Sequence, residues 1–378
     1  MSTTRSTRSW SWRIGRIAGI DLYIHATFPL LLLWIALGAL GRASLRTVLA
    51  TGALTLVVFV IVVLHECGHA LMARRYGIRT RDITLLPIGG IARLERMPRE
   101  PRQELLVALA GPAVNIALAA LLYAGLAASG PANVRLALEA AATDVTLTSV
   151  TAQLIAINVW LAIFNLIPAF PMDGGRVLRA LIVMRRHEYV KATVTAARVG
   201  RVFALLFALM GIFWLESPTL AIIALFVWIA ATSEALAVQT AAALEHVSLS
   251  GIMITDFRTL APNDTLMRAA ELTLDGFQHD FPVVENGTLV GMLTQRGLLR
   301  ALAQVGSKAR VGDVMQRDTP TASVDDEAQS AVERLVTLRT ASLPVLNGRD
   351  LVGVLTSENL SEFLSLRAAA ASNGQARA

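Results

Sequence analysis

Long apolar stretches alternate with short polar segments over the first two thirds of the chain. A helix that crosses a bilayer needs about 20 mostly apolar residues. Six stretches come close to that length: 22–41, 47–73, 104–128, 148–170, 200–216 and 218–238. After about residue 245 the pattern changes to short apolar runs between polar turns, which is typical of a soluble α/β fold. The pattern predicts a polytopic α-helical membrane protein with about six transmembrane helices, followed by a soluble α/β domain.

The soluble part repeats itself with a constant offset of 62 residues. The recurring segments are Ile252-Met253 as Val314-Met315, Asp264 as Asp326, Phe281-Pro282-Val283-Val284 as Leu343-Pro344-Val345-Leu346, and Gly291-Met292-Leu293-Thr294 as Gly353-Val354-Leu355-Thr356. An unvarying offset over four segments indicates a duplicated structural unit. The pattern of residues in each copy predicts a short strand, a helix, a strand, a turn, a strand and a second helix.

Composition and charge support the membrane assignment. Hydrophobic residues make up 54% of the chain and charged residues 16%, a more apolar balance than soluble domains have. Arginines cluster beside the apolar stretches, in the N-terminal tail, from Arg74 to Arg102 and from Arg176 to Arg201. The positive-inside rule puts these clusters on the cytoplasmic side of the cell membrane. With six helices, both termini are then cytoplasmic; Arg42 and Arg46, in an outer linker, count against this topology.

Other features exclude several classes of protein. Nucleic acid-binding domains carry a basic face with stacking aromatics on a soluble domain, whereas these arginines flank apolar stretches. A single cysteine, Cys67, leaves neither an intramolecular disulfide nor a cysteine-rich zinc cluster. The first apolar stretch is followed by no convincing cleavage site, so we expect an uncleaved membrane helix rather than a signal peptide.

The sequence His65-Glu66-Cys67-Gly68-His69 lies at the end of the second apolar stretch. Residues four apart share one face of a helix, so both imidazoles can reach one metal ion, and Glu66 can accept a proton from a nearby water. Cys67 points away from that face and is expected to pack rather than bind. Two buried histidines bonded to carbonyls are the alternative. However, ionisable residues within an apolar span are rare and mark function.

A catalytic zinc site needs a third protein ligand, and Asp173 is the best candidate. It follows the fourth apolar stretch in a segment with two prolines and two glycines, 165–175, which an undisturbed helix does not tolerate. A broken helix there can direct a carboxylate inward, at a depth similar to the two histidines. The alternative is that Asp173 caps the helix that follows.

The segment 83–98, between the second and third apolar stretches, contains alternating apolar residues around Pro87, Gly89 and Gly90. This pattern predicts a strand, a glycine turn and a second strand. One use for such a hairpin is to pair its exposed edge with an extended peptide beside the buried site. The alternative is a kinked surface loop.

Taken together, the motifs HECGH, GPAVN (Gly111, Pro112, Asn115) and NLIPAFPMDGG resemble the site-2 protease family of intramembrane metalloproteases. The resemblance implies one zinc ion held by His65, His69 and Asp173, with Glu66 as the catalytic acid-base, and cleavage of a transmembrane helix in a membrane-protein substrate (regulated intramembrane proteolysis). Because an amide within a helix must unwind before attack, we expect Asn165, Asn115 and Pro168 to position the substrate. A polar side chain that bridges two helices is the alternative for both asparagines.

The repeats resemble tandem cystathionine-beta-synthase (CBS) domains. That resemblance implies a regulatory pair which often binds an adenosyl nucleotide and often associates into a homodimer. The aspartate that commonly holds the ribose is replaced here by Gly297 and Asn359, which puts nucleotide binding in doubt for both copies.

These inferences predict five segments: a basic tail over 1–19, a metalloprotease domain over 20–240, CBS repeats over 248–307 and 308–368, and a disordered tail over 369–378. Two other functions stay open at this point, a zinc or ion transporter and a catalytically silent membrane scaffold. His25, near the start of the first stretch, could lie near the metal or bridge two helices.

Overall fold

A computed structural model describes residues 10–39, 45–87, 89–98, 100–132, 147–245, 247–276 and 278–375. The chain divides into two compact units, Met1–Leu236 and Ala237–Ala378. The start of the predicted basic tail, most of the predicted outer linkers near 42–46 and 129–146, and the last three residues lie outside the described ranges.

A four-stranded sheet lies in the first unit. Its strands are β1 (Ser11–Ile17), β2 (Ile20–His25), β3 (Thr80–Leu86) and β4 (Gly89–Leu94), in that spatial order. β1 and β2 pair antiparallel, as do β3 and β4, whereas β2 and β3 run parallel. The predicted hairpin in 83–98 is therefore present, and its second strand, β4, is an edge of the sheet.

The start of the chain differs from the predicted tail and the predicted membrane helix at 22–41, because two strands lie before the helix. β1 occupies the end of the predicted tail, and helix α1 covers Thr27–Ala39 within the described residues. Ile20 and Leu22 are buried on either side of the half-exposed Asp21, and alternation with a period of two favours a strand. A sum of hydropathy over the whole stretch does not register that alternation.

The remaining helices of the first unit are α2 (Leu45–Arg75), α3 (Pro101–Ala128), α4 (Leu147–Asn165), α5 (Asp173–Arg186), α6 (Tyr189–Leu209, continued by a π-helical turn over Met210–Trp214) and α7 (Pro218–Leu244). Among the described residues, four helices are long and apolar enough to cross a membrane: Thr47–Arg75, Pro101–Ala128, Tyr189–Trp214 and Pro218–Leu244. The apolar helix at Ser149–Asn165 is shorter. A membrane unit with four candidate spans is thus supported, and the predicted count of six is not confirmed.

Large apolar side chains lie exposed on the outer faces of these helices. Leu121 on α3, Trp160 on α4 and Phe213 after α6 are 70%, 68% and 79% exposed. A soluble protein rarely exposes so many large apolar groups on neighbouring helices, whereas lipid tails solvate them without cost. The exposure pattern therefore agrees with the membrane assignment.

The second unit contains the duplicated fold. Its elements are a 3₁₀ turn (Leu249–Gly251), α8 (Leu266–Asp275), β5 (Phe281–Glu285), β6 (Thr288–Leu293), α9 (Gln295–Val305), α10 (Val311–Val314), β7 (Ala322–Ser323), α11 (Ala328–Thr337), β8 (Ser342–Asn347), β9 (Asp350–Thr356) and α12 (Ser357–Gln375). The strands form one sheet in the order β5-β6-β9-β8-β7. Helix α12 runs to Gln375, where the sequence predicted a disordered tail from 369.

The two copies meet around a pseudo-twofold axis. Thr288 pairs with Asp350, its own equivalent at the 62-residue offset, across β6 and β9. The Ser342 hydroxyl likewise donates to the carboxylate of its equivalent, Asp280, at 2.6 Å. Equivalent residues can touch each other only near the axis that relates them. The repeat read from the sequence is therefore a structural repeat.

Candidate metal centre

His65 and His69 lie one turn apart on α2, both buried. Their Nε2 atoms are 3.1 Å from each other. Because residues four apart share a helix face, this spacing follows directly from the sequence. Two nitrogen acceptors that face each other so closely need a proton or a cation between them.

Asp173 brings its carboxylate to the same point from a distant segment. Its Oδ2 lies 3.2 Å from Nε2 of His65 and 3.1 Å from Nε2 of His69. Helix α4 ends at Asn165 and α5 begins at Asp173 itself, with Met172 at the N-cap position, so the predicted break in the fourth apolar stretch is present.

The backbone around Asp173 is packed too closely for side chains. A Cβ on Gly174 would lie 2.2 Å from the carbonyl oxygen of Ile167, and one on Gly175 would lie 2.7 Å from the amide nitrogen of Phe170. The two glycines let the start of α5 pack against the broken segment before it. This contact fixes the direction in which the side chain of Asp173 points from the start of α5.

The outer nitrogens of both imidazoles are occupied. Nδ1 of His65 donates to Oδ1 of Asn115 at 2.5 Å, and Nδ1 of His69 donates to the carbonyl of Val107 at 2.7 Å. Such bonds fix the tautomer, which leaves each Nε2 with a free lone pair directed at the cluster. The three candidate ligand atoms lie within 4.8 Å of one another. Two imidazoles and one carboxylate are a donor set that zinc takes in hydrolytic enzymes, so the residues fit this ion.

Asn115 makes two side-chain hydrogen bonds. Besides accepting from His65, it donates from Nδ2 to Oδ1 of Asn158 at 3.2 Å, and Asn158 donates in turn to the carbonyl of Leu154. Both asparagines are fully buried. Asn115 therefore orients His65 and bridges α3 to α4, as the alternative for it proposed. Asn158 and Val107 were missed, because nothing local in the sequence separates them from other residues of an apolar helix.

Two glycines bring α2 and α3 close together at the cluster. A Cβ on Gly111 of α3 would lie 2.2 Å from Nε2 of His69 and 2.7 Å from Cε1 of His65. A Cβ on Gly68 of α2 would lie 2.7 Å from the carbonyl oxygen of Ala110. The backbone of α3 thus forms one wall of the cluster.

Glu66 lies beside the hairpin and is only partly buried. A Cβ on Gly90, in the edge strand β4, would lie 2.8 Å from its Cγ. Glu66 also interacts electrostatically with His69, His65 and Asp173. The structure therefore brings the glutamate, the edge strand and the three candidate ligands into one neighbourhood, as the hairpin prediction required.

The other predicted residues lie at the break after α4 and at the end of β2. Asn165 is the last residue of α4 and Pro168 lies in the break, both partly buried. Among the described residues, His25 accepts at Nδ1 from the hydroxyl of Thr27 at 2.8 Å, which joins the end of β2 to the start of α1. The prediction that His25 lies near the metal or bridges two helices is not supported by this contact.

The repeat unit provides no carboxylate at the two predicted ribose positions. The side-chain amide of Asn359 donates to the carbonyl of Ile252, and Gly297 donates its amide N–H to the hydroxyl of Thr294. Both groups are engaged within the repeat unit itself.

Two buried imidazoles and a carboxylate, with a glutamate beside them, fit the zinc site of a metallopeptidase, here among apolar helices. The sequence profile of peptidase family M50 matches residues 53–209, and that of the CBS domain matches residues 249–304 and 311–366. The chain belongs to peptidase family M50, with a CBS pair after its protease domain, and is a zinc metalloprotease.

Two similar proteins align with the chain over most of its length. A zinc metalloprotease of Methanocaldococcus jannaschii is 29% identical over 360 residues, which are 95% of this chain and 97% of that protein. Rip3 of Mycobacterium tuberculosis is 29% identical over 381 residues, which cover 93% of this chain and 92% of Rip3. Among solved structures, the Site-2 Protease from Methanocaldococcus jannaschii is 34% identical and covers 60% of this chain and 95% of its own, with a TM-score of 0.44.

Replacing Asn115 by alanine is expected to weaken zinc binding by about 10- to 100-fold. The variant removes the acceptor that fixes the tautomer and the ring orientation of His65. Competition with a chromogenic chelator measures the zinc dissociation constant of the purified protein. Leu121→Ala, at an exposed position of the same helix, is the matched control and should bind zinc like the unmodified protein. Equal affinity in Asn115→Ala would show that His65 does not depend on this bond.

Proposed function

We propose that this protein is an intramembrane endopeptidase that hydrolyses peptide bonds within the transmembrane segment of membrane-tethered proteins. The observation that carries the proposal is the buried convergence of His65, His69 and Asp173 among apolar helices, with Glu66 beside them. A soluble metalloprotease would have no use for a cluster enclosed by helices that expose large apolar side chains.

Each residue has a role in this proposal. His65, His69 and Asp173 hold the zinc ion, which when bound polarises the scissile carbonyl and acidifies water. Glu66 accepts the proton of the attacking water and delivers it to the nitrogen of the leaving amine. Asn115 and Val107 keep the two imidazoles in the productive tautomer through Nδ1.

The edge strand β4 is the surface on which we propose that the unwound substrate binds. Strand β4 pairs with β3 along one side. At Gly90 the backbone of β4 lies next to Glu66. A peptide added to this edge by main-chain hydrogen bonds would be held extended, with its backbone close to the candidate acid-base. Asn165 and Pro168, at the start of the break, are proposed to contact the same peptide.

The topology and the regulation are proposals of the same kind. The arginine clusters favour a protein of the cell membrane with both termini on the cytoplasmic side. The CBS pair would then lie in the cytoplasm, where we propose that it regulates the protease. Leu274 on α8 and its repeat equivalent Val336 on α11 are 86% and 66% exposed, and this apolar pair supports a homodimer through the CBS unit. An adenosyl nucleotide is a ligand to test rather than to assign, because no carboxylate stands at Gly297 or Asn359.

The test is cleavage in a defined bilayer. The purified protein is reconstituted into liposomes with a single-span substrate, and the products are mapped by mass spectrometry. We expect cuts inside the apolar span, loss of cleavage with a zinc chelator and recovery when zinc is added. Cuts restricted to the flanking soluble segments would contradict the intramembrane proposal, and zinc flux into the vesicles without cleavage would favour the transporter.

A further inference from the structure

A buried ion-pair cluster lies outside the metal centre. Arg179 of α5 is 0% exposed, and Glu104 of α3 is 1% exposed. Nε of Arg179 donates to Oε1 of Glu104 at 2.7 Å, and Nη1 donates to Oε1 of Glu234, on α7, at 2.7 Å. The guanidinium also lies 5.1 Å from the ring centroid of Phe170 and 4.9 Å from that of Tyr189. One side chain thus joins α3, α5, α7, the first residue of α6 and the broken segment.

Such a cluster is a poor source of stability. Removing two charges from water costs several kcal/mol per ion, and well-packed apolar residues often serve as well or better. What a buried fork of directed hydrogen bonds does provide is a unique relative placement of the helices that carry it. The helices that this cluster holds together also carry groups of the metal centre.

Glu104, Arg179 and Phe170 each lie close along the chain to a group of the metal centre. Glu104 lies one turn before Val107, whose carbonyl accepts from His69. Arg179 is on the helix that begins with Asp173, and Phe170 lies in the break that leads to it. A shift of α5 against α3 would therefore move the carboxylate of Asp173 relative to the ring of His69.

We infer that Arg179 is a positioning residue for the metal centre, because it locks α5 and α7 to α3 through Glu234 and Glu104. The inference rests on the proposed zinc-binding role of Asp173 and His69.

The first variant is Glu234→Gln, since this carboxylate is 38% exposed and its loss leaves the fully buried pair intact. The measurements are the zinc dissociation constant by chelator competition, kcat and KM in liposomes, and the thermal unfolding midpoint. We expect weaker zinc binding and a lower kcat with KM and the midpoint unchanged. The matched control is Glu188→Gln, which removes a carboxylate from the exposed pair with Lys191, and it should change none of these quantities.

Two further variants separate positioning from stability. Arg179→Lys keeps the charge but loses the planar fork, and we expect its zinc dissociation constant to rise by about tenfold. The double variant Arg179→Met, Glu104→Gln removes both buried charges, so the midpoint should recover relative to Arg179→Met alone while zinc affinity and kcat stay low. Arg185→Met, at an exposed position of the same helix, is the control.

Wild-type zinc affinity and kcat in Glu234→Gln and in the folded double variant would overturn the inference. Zinc affinity is measured without a substrate, so the two proposals fail separately. Absence of intramembrane cleavage by the unmodified protein, together with weakened zinc binding in these variants, would refute the proposed function and leave the positioning role standing.

Discussion

Replacing Glu66 by glutamine is expected to reduce proteolysis by at least about a hundredfold while the zinc content stays unchanged. Glutamine keeps the size of the side chain but has no basic oxygen to accept a proton from the attacking water. Because the glutamate lies outside the candidate ligand set of His65, His69 and Asp173, the metal should be retained. Product formation in liposomes and zinc content by mass spectrometry measure the two quantities on the same preparation.

The matched control is Glu95→Gln, which removes an exposed carboxylate just after β4. It should cleave at the normal rate, so a loss confined to Glu66→Gln identifies the proton acceptor. Undiminished proteolysis by Glu66→Gln would assign the proton transfer to another group. A variant that lost zinc as well as activity would instead make Glu66 part of the ligand set.

The part of the metal centre that the sequence predicts is the part set by local geometry. His65 and His69 converge because a helix repeats every 3.6 residues. Asp173 is recognisable because prolines and glycines break an apolar stretch at the right depth. The CBS repeats are equally accessible, since an offset of 62 residues needs no structure to detect.

The groups that orient the ligands could not be predicted in the same way. Val107 acts through a backbone carbonyl, which every residue has, and lies 38 residues along the chain from His69. Asn158 is one of several polar residues in an apolar helix and gains meaning only through Asn115, 43 residues away. Arg179 reads as one more cytoplasmic arginine in the positive-inside pattern, although it is fully buried. The roles of Val107, Asn158 and Arg179 all depend on packing between residues that are far apart in the chain.

The membrane helix predicted over 22–41 differs from the structure for a related reason. Hydropathy averaged over about 20 residues measures how apolar a segment is, not with which period its apolar residues recur. Ile20 and Leu22 lie on either side of the half-exposed Asp21, although Tyr23 is buried too, and the strand they form pairs with β3, far along the chain. The local alternation was therefore visible, but the partner strand that makes it stable was not.

Replacing Gly111 by alanine is expected to raise the zinc dissociation constant and to lower kcat/KM by about a hundredfold. The new Cβ would lie 2.2 Å from Nε2 of His69, whereas non-bonded carbon atoms approach to about 3.5 Å. The ring or the helix must therefore move by about 1 Å, and a misplacement of that size can cost about a hundredfold in rate. A retreat of helix α3 would lose the close packing of its Ala110 carbonyl against Gly68 of α2. Chelator competition and liposome cleavage measure the two effects.

Gly125→Ala provides a matched control on the same helix, because a Cβ there meets nothing within 4 Å. Alanine is the better helix former by about 1 kcal/mol, so this variant should be as stable as the unmodified protein or more so, with zinc affinity unchanged. The same substitution is thus expected to have opposite consequences at two positions of α3, according to whether a histidine lies opposite. If Gly111→Ala bound zinc and cleaved as well as Gly125→Ala, the backbone of α3 would not be the wall that holds His65 and His69 in place.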